Sequence, residues 1–160
     1  MNNSIDELVK YLLVKHPQGG ESYFDELDNY VNSEDYYLEL MFKMVDYENT
    51  VIVTSGKFGE EFARWATFSK TMYPAGVIVF NGGLRKNQNA VITNKIYFKN
   101  YITRYVYMDD SYYSGKTYFK CLQYVRQHLK IEMPNIYVVY DGSLGKQKNI
   151  HSLYRYYDHH

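Results

Sequence analysis

The chain has 160 residues with 18 basic and 18 acidic side chains, so no bulk positive field marks it as a binder of nucleic acids or membrane surfaces. This length, with 46% hydrophobic residues, suits one compact domain over residues 1–160. Cys121 is the only cysteine, which excludes an internal disulfide and fits a reducing compartment. No apolar run approaches the roughly 20 residues of a membrane span. We therefore expect a cytoplasmic protein with no membrane partner.

Residues 1–47 are predicted to form a helical N-terminal segment. Residues 4–7 (SIDE) have the spacing of a capping box, and residues 17–20 (PQGG) end the helix that follows. Ser22 begins a second helical pattern. Ser33 begins a third, whose apolar side chains are Leu38, Met41, Phe42 and Val45.

Four short apolar runs follow, and they predict strands that are buried on both faces. The runs are TVIVTS (50–55), GVIVF (76–80), YVYM (105–108) and IYVVY (136–140). Helical patterns over 60–73 and 117–130 separate them, and the polar stretch 82–101 predicts a mobile loop flanked by irregular strands. The alternation predicts an α/β fold, an open and mainly parallel sheet flanked by helices, over residues 50–141.

Two polar turns lie where a ligand of such a sheet is expected, at the carboxyl ends of the strands. They are TSGKFG (54–59) and DDSYYSGKT (109–117), and each precedes a predicted helix. Backbone N–H groups and the positive end of a helix dipole attract anions. The sequence therefore predicts that both turns bind anionic groups.

The tetrapeptide SGKT (114–117) resembles the end of an ATP-binding P-loop, but the first glycine of that pattern is replaced by Asp110. A carboxylate at that point would repel phosphate. Adjacent carboxylates suit the hydroxyls of a sugar instead, and hydroxyl side chains with backbone N–H groups suit a monophosphate. The turn thus favours a ribose 5-phosphate. The simpler alternative is that Asp109 and Asp110 only cap and solvate a strand end.

Residues 105–117, which include VYMDDSYYSGKT, resemble the signature of the type I phosphoribosyltransferases. That signature is an apolar strand, two acidic residues, three variable positions, Thr or Ser, Gly, one variable position and Thr. The resemblance implies that Asp109 and Asp110 face the ribose hydroxyls of phosphoribosyl pyrophosphate. It implies a flavodoxin-like strand order. It also implies that the 5-phosphate is wrapped by Ser111, Tyr112, Tyr113, Ser114, Gly115, Lys116 and Thr117.

The same resemblance extends to two further segments. A turn after the first strand contacts pyrophosphate in the family, and its counterparts here are Ser55, Gly56, Lys57, Phe58 and Gly59. Phe58 stands where a second glycine is usual. A mobile loop of the family closes over the reacting centre, and GGLRKNQN (82–89) matches it, with Arg85 and Lys86 placed to meet charge on the leaving group.

The activity implied is transfer of the phosphoribosyl group to a nitrogenous base or related nucleophile, with release of pyrophosphate. Mg²⁺ would arrive on the substrate rather than on protein ligands. The implied catalytic residues are Asp109, Asp110, Lys57, Arg85 and Lys86. Tyr113 stands where purine-salvage members carry an acidic residue, so the alternative is a regulator or interaction protein of this fold that binds a nucleotide without turnover.

The sequence allows more than one role for the tail and more than one partner. Residues 142–160 form a hood over the base through Tyr154, Tyr156 or Tyr157, or they pack as an edge strand or fray; packing is the favoured reading. A homodimer is left open. RNA is the less favoured partner because the chain has no net charge.

Overall fold

The structure, a computed structural model, describes residues 33–69, 73–143 and 147–155. The first elements are helix α1 (Ser33–Lys43), strand β1 (Thr50–Ser55), helix α2 (Gly56–Phe68) and strand β2 (Gly76–Phe80). They are followed by β3 (Ile92–Tyr97), β4 (Arg104–Tyr112), α3 (Lys116–Tyr124), β5 (Ile136–Asp141) and β6 (Ile150–Arg155). Two 3-10 turns lie at Tyr47–Asn49 and Leu84–Lys86, and a π-helical turn, Val125–Leu129, extends α3. The two helices predicted before residue 33 lie outside the described residues.

The six strands form one sheet in the order β3-β2-β1-β4-β5-β6. Every neighbouring pair is parallel except β2 and β3, which are antiparallel. The predicted α/β class and mainly parallel sheet are therefore confirmed. The chain passes from β1 outward to β2 and β3 and then returns to the other side of β1 with β4. This reversal is a topological switch point, where open α/β sheets leave a crevice for ligands.

Helices cover both faces of the sheet, which explains why the strand sequences are apolar without a break. Ile52 of β1 packs in a cluster with residues of α1 and α2, whereas its neighbours Val51 and Val53 pack in a second cluster with residues of α3. Successive strand residues point to opposite faces, so both must be apolar when both faces are covered. Every residue of β1 and β2 is buried as a result.

Two predicted boundaries are wrong. Helix α2 begins at Gly56 and ends at Phe68, so most of the turn predicted at 54–59 is the first turn of a helix. Strand β4 continues past residue 108 to Tyr112, because Asp109, Ser111 and Tyr112 still pair with β5. The two aspartates thus lie within a strand and not in the turn after it.

The predicted apolar face of α1 is only half correct. Met41 is buried and Leu38 packs against the core, but Phe42 and Val45 are 63% and 67% exposed. Val45 lies beyond the end of the helix, which is at Lys43. At the other end of the chain, residues 150–155 form β6, so this part of the tail packs as an edge strand. Tyr156 and Tyr157 lie outside the described residues.

Across the ranges that the structure describes, none of the helices combines the length and the apolar character that crossing a membrane requires.

Candidate functional site

A cavity of about 780 Å³ opens at the carboxyl ends of β1, β2 and β4, beside the switch point. Three chain segments line it: residues 55–58 after β1, residues 81–86 after β2, and residues 109–118 together with Tyr107. Small-molecule sites commonly enclose about 300–1,000 Å³, so a sugar phosphate is well within this size. Of the residues predicted for the site, only Gly59 is not in the lining.

The carboxyl group of Asp109 is held by two hydrogen bonds. Its Oδ1 accepts the backbone N–H of Asp110 at 2.8 Å, and its Oδ2 accepts the hydroxyl of Tyr107 at 2.9 Å. Ser111 donates a longer hydrogen bond of 3.4 Å to Oδ1 of Asp110. Each carboxylate oxygen has two lone pairs, so both side chains retain acceptor capacity toward the cavity.

Both carboxyl groups hold their protons more tightly than a free aspartate does. Burial, and then the neighbouring charge of Asp110, raises the pKa of Asp109 well above its usual range. Burial also raises the pKa of Asp110, against the hydrogen bonds that it accepts. The pair lies half-buried near the carboxyl end of β4, past its last pairing with β1, and the partial removal of its charge from water is the main cost.

The turn from β4 to α3 depends on Gly115. This residue is the N-terminal cap of α3 and has a left-handed φ of 84°, a conformation that glycine adopts without strain. Its carbonyl accepts the first hydrogen bond of the helix, from the N–H of Phe119 at 2.8 Å. The next backbone N–H groups point out of the helix start toward the cavity. Ser114 accepts one of them, from Lys116, at 3.4 Å, and lies exposed.

Tyr112 and Tyr113 turn away from the open cavity, although both contribute to its wall. Tyr112 is buried beside α3, and its hydroxyl donates to Oε1 of Gln147 at 2.9 Å. Burial, then Tyr118 and Asp141, raises the pKa of Tyr112 to about 12. Tyr113 packs edge-on against Tyr140 at 5.9 Å. Its buried hydroxyl has no hydrogen-bond partner among the residues that the structure describes.

The residues predicted to bind pyrophosphate, 55–59, lie at the start of α2, and their side chains point to different surroundings. Gly56, with a φ of 66°, and the exposed Lys57 line the cavity. The ring of Phe58 instead packs against Tyr37 at 5.5 Å in the core, so Phe58 offers the cavity little more than its backbone.

Gly59 does not line the cavity and packs closely against two strands. A β-carbon at this position would lie 2.9 Å from Cγ2 of Thr54 and 3.2 Å from Cγ1 of Val79. The glycine therefore lets α2 lie close against β1 and β2. This close approach fixes where the helix begins relative to the cavity.

The segment after β2 brings Arg85 and Lys86 to the cavity. Both are exposed and form a 3-10 turn that begins after Gly83. The guanidinium of Arg85 lies 5.9 Å from the centre of the Tyr113 ring, within the range of a cation–π contact. With Lys57 and Lys116, four cationic side chains line the cavity that contains the two aspartates.

Sequence reasoning missed Tyr107, which was counted only as an apolar strand residue. It lies two positions before Asp109 in a strand, and residues two apart share a face of the sheet. That spacing alone places its hydroxyl near the carboxyl group. Asn81 and Tyr118 are the other lining residues that were not predicted, whereas Gly82, Gly83 and Leu84 belong to the loop 82–89 that was expected over the site.

The described ranges contain no cluster of three or more His, Cys, Asp or Glu side chains that would hold a metal ion. Magnesium prefers oxygen ligands and often takes most of them from substrate phosphates and water. A magnesium ion that arrives on a pyrophosphate is compatible with a lining of carboxyl and hydroxyl groups.

No protein-family model matches the sequence, and no curated protein matches it significantly. The resemblance to the phosphoribosyltransferases therefore depends on the sequence alone, chiefly on the signature at residues 105–117.

Proposed function

We propose that the protein binds 5-phosphoribosyl 1-pyrophosphate and transfers its phosphoribosyl group to a nitrogenous base or related nucleophile, with release of pyrophosphate. One observation carries the proposal. Asp109, Asp110 and the start of α3 line the same cavity as Lys57, Arg85 and Lys86, at the switch point of the sheet. The site thus combines acceptors for hydroxyl groups with donors for phosphates.

The acceptor groups and the donor groups of the site bind different parts of the ligand. The carboxylates of Asp109 and Asp110 accept hydrogen bonds from the ribose 2- and 3-hydroxyls. The backbone N–H groups and the hydroxyls of Ser114 and Thr117 bind the 5-phosphate, because a helix start favours an anion. Lys57, with residues 85–86, offsets the charge of the pyrophosphate.

The proposed chemistry relies on positioning and electrostatics. Bond breaking at C1 of the ribose leaves pyrophosphate negatively charged, and cations that are already in place stabilise that charge without reorganising. Magnesium carried by the substrate adds to this neutralisation. The protein's own contribution is to orient the ribose through Asp109 and Asp110 and to hold the leaving group near Lys57, Arg85 and Lys86.

Ligand-induced thermal stabilisation tests the substrate site directly. We expect phosphoribosyl pyrophosphate with Mg²⁺ to raise the melting temperature more than ribose 5-phosphate or pyrophosphate alone, since a ligand at 100 times its Kd adds about 2.7 kcal/mol. The shift should disappear in Asp109→Asn/Asp110→Asn. It should persist in Asp46→Asn, which removes a carboxylate before β1 at the opposite end of the strand. An equal shift in the double variant would sink the proposal.

A second candidate is a protein of this fold that binds a nucleotide as a regulator and does not turn it over. Tyr113 favours it, because a phenol stands where purine-salvage members carry an acid. Burial, then Tyr140 and Asp110, raises the pKa of Tyr113, so the phenol stays protonated at neutral pH. It is therefore a poor acceptor for a proton from the base.

Turnover separates the two candidates. Pyrophosphate release is measured with phosphoribosyl pyrophosphate, Mg²⁺ and a panel of purine, pyrimidine and amine acceptors. Release with one acceptor, lost in Asp109→Asn/Asp110→Asn, supports the transferase. Binding of the ligand without release for any acceptor supports the regulator.

A further inference from the structure

Tyr107 connects two parts of the cavity that belong to different strands. Its side chain is 1% exposed, and its hydroxyl lies 2.9 Å from Oδ2 of Asp109 on β4 and 3.1 Å from Oγ of Ser55 at the end of β1. Val53 and Tyr107 are the last residue pair in the register of β1 with β4. The hydroxyl therefore joins the two strands just beyond their pairing, at the switch point.

The direction of the hydrogen bonds follows from proton counting. A phenol has one proton, and once Asp109 is ionised its carboxylate can only accept, so the Tyr107 proton then lies toward Asp109. Ser55 must then donate its own proton to the Tyr107 oxygen. The result is a directed chain from Ser55 through Tyr107 to Asp109. Such chains strengthen each bond by polarising the next one.

We propose that Tyr107 is a positioning residue that fixes the Asp109 carboxylate for its ligand and couples it to Ser55, the last residue of β1. The identity of the ligand that Asp109 binds rests on the proposed function, whereas the coupling of Asp109 to Ser55 through Tyr107 does not. One oxygen of Asp109 is held by Tyr107 and the other by the N–H of Asp110, so the carboxyl plane is fixed. The remaining lone pairs are then oriented toward the cavity before a ligand arrives, which avoids the cost of ordering them on binding.

Several polar and charged groups around Asp109 influence the pKa of its carboxyl group. Asp110 flanks it on β4, Ser55 approaches through Tyr107 from β1, and Cys121 faces it from α3. On the cavity side the charged neighbours are Lys57, Arg85, Lys86 and Lys116. Removing the Tyr107 hydroxyl takes away a donor to the ionised carboxylate and leaves these other groups in place. The pKa of Asp109 is therefore expected to rise in Tyr107→Phe.

The test combines two measurements on the full chain. The first is an NMR titration of the Asp109 carboxyl carbon in the protein without ligand. The titration midpoint should move to higher pH in Tyr107→Phe. Because the ionisation of Asp109 affects that of Asp110, the titration curves of both carboxyl groups are followed. Binding of phosphoribosyl pyrophosphate with Mg²⁺ should weaken about tenfold, as expected for losing one hydrogen bond to a charged group. Tyr105→Phe is the matched control, since Tyr105 lies on the same strand outside the cavity lining.

Each outcome decides one claim. An unchanged Asp109 titration in Tyr107→Phe overturns the proposal, whatever the ligand does. A shifted titration with unchanged affinity also overturns it, because the carboxylate would then need no positioning. A shifted titration in a protein whose parent form does not bind phosphoribosyl pyrophosphate supports the link between Tyr107 and Asp109 and counts against the proposed function alone.

Discussion

The ring of Tyr112 occupies the space into which a side chain at Gly115 would project. A β-carbon on Gly115 would lie 2.8 Å from Cζ of Tyr112 and 3.0 Å from Cε2 of Phe119. Gly115 also has a φ of 84°, so the position excludes other residues on both backbone and steric grounds. The turn that leads into α3 is therefore built around the packing of Tyr112.

We expect Gly115→Ala to lower the free energy of unfolding by about 2–4 kcal/mol, from left-handed strain together with overpacking. Urea denaturation measures the change. Gly83→Ala is the matched control, since Gly83 has a φ of 78° but meets only the flexible side chain of Gln88, at 3.3 Å. It should lose about 1–2 kcal/mol. Equal losses in the two variants would contradict the role assigned to Tyr112.

Asp109 makes stability depend on pH in a predictable direction. Burial and Asp110 raise its pKa well above the usual range, so the folded protein binds this proton more tightly than the unfolded chain does. The stability that the protonated carboxyl contributes is complete below the ordinary aspartate pKa and is lost as pH rises toward the folded pKa. Asp109→Asn keeps a neutral side chain throughout. We expect it to raise the melting temperature at pH 7 and to have much less effect at pH 4.

The comparison is internal, because one variant and its parent are measured at both pH values. A stabilisation of the same size at both would show that the effect does not come from ionisation. A loss of stability at pH 7 would show that the hydrogen bonds of the carboxylate outweigh the cost of burying its charge.

Cys121 is expected to be unreactive in the folded protein. It is fully buried on α3, and burial, followed by the charge of Asp109, raises the pKa of its thiol. Since the thiolate is the reactive form, modification requires opening of the structure. Reaction with a thiol reagent at pH 8 should be at least about a hundredfold slower than in denaturant. Rapid modification without denaturant would contradict the packing of α3 on the sheet.

Features that depend on residues close together in the chain could be predicted from the sequence. The parallel strands were visible as apolar runs, because both faces of the sheet are covered. The polar segment 109–117 was recognisable because its residues are consecutive, and residues 85–86 line the same cavity because a parallel sheet brings the segments after adjacent strands to one edge.

Features that depend on register between distant segments could not be predicted. The contact between Ser55 and Tyr107 requires knowing that Val53 pairs with Tyr107 across two strands. The role of Gly59 depends on how closely α2 approaches Thr54. Similarly, polar residues at the end of β4 indicate a turn when read alone, and only their pairing with β5 keeps them extended.

The cations of the cavity should make ligand binding sensitive to salt. Arg85→Gln/Lys86→Gln removes two exposed charges and is expected to weaken binding of pyrophosphate with Mg²⁺ about tenfold, by loss of charge-assisted hydrogen bonds. Lys95→Gln is the control, because Lys95 is exposed on β3 outside the cavity lining. Calorimetric titration at two salt concentrations measures both effects. Equal weakening in the control would indicate a general charge effect instead of a site at residues 85–86.

Tyr113 should respond in opposite ways to two substitutions. Its buried hydroxyl has no partner among the described residues, so Tyr113→Phe removes an unsatisfied group and is expected to stabilise the protein by about 1 kcal/mol. Its ring packs against Tyr140 and so closely against Gly142 that a β-carbon there would overlap the ring. Tyr113→Ala is therefore expected to cost about 2–4 kcal/mol.

The Tyr113→Phe variant also tests whether the phenol hydroxyl takes part in the reaction. Because burial raises the pKa of Tyr113, the hydroxyl stays protonated near neutral pH. Tyr113→Phe should then leave the pH profile of any pyrophosphate release unchanged, with kcat and KM within about twofold of the parent. A folded Tyr113→Phe protein that no longer releases pyrophosphate would assign the hydroxyl a direct role, because the ring and its packing are kept in this variant.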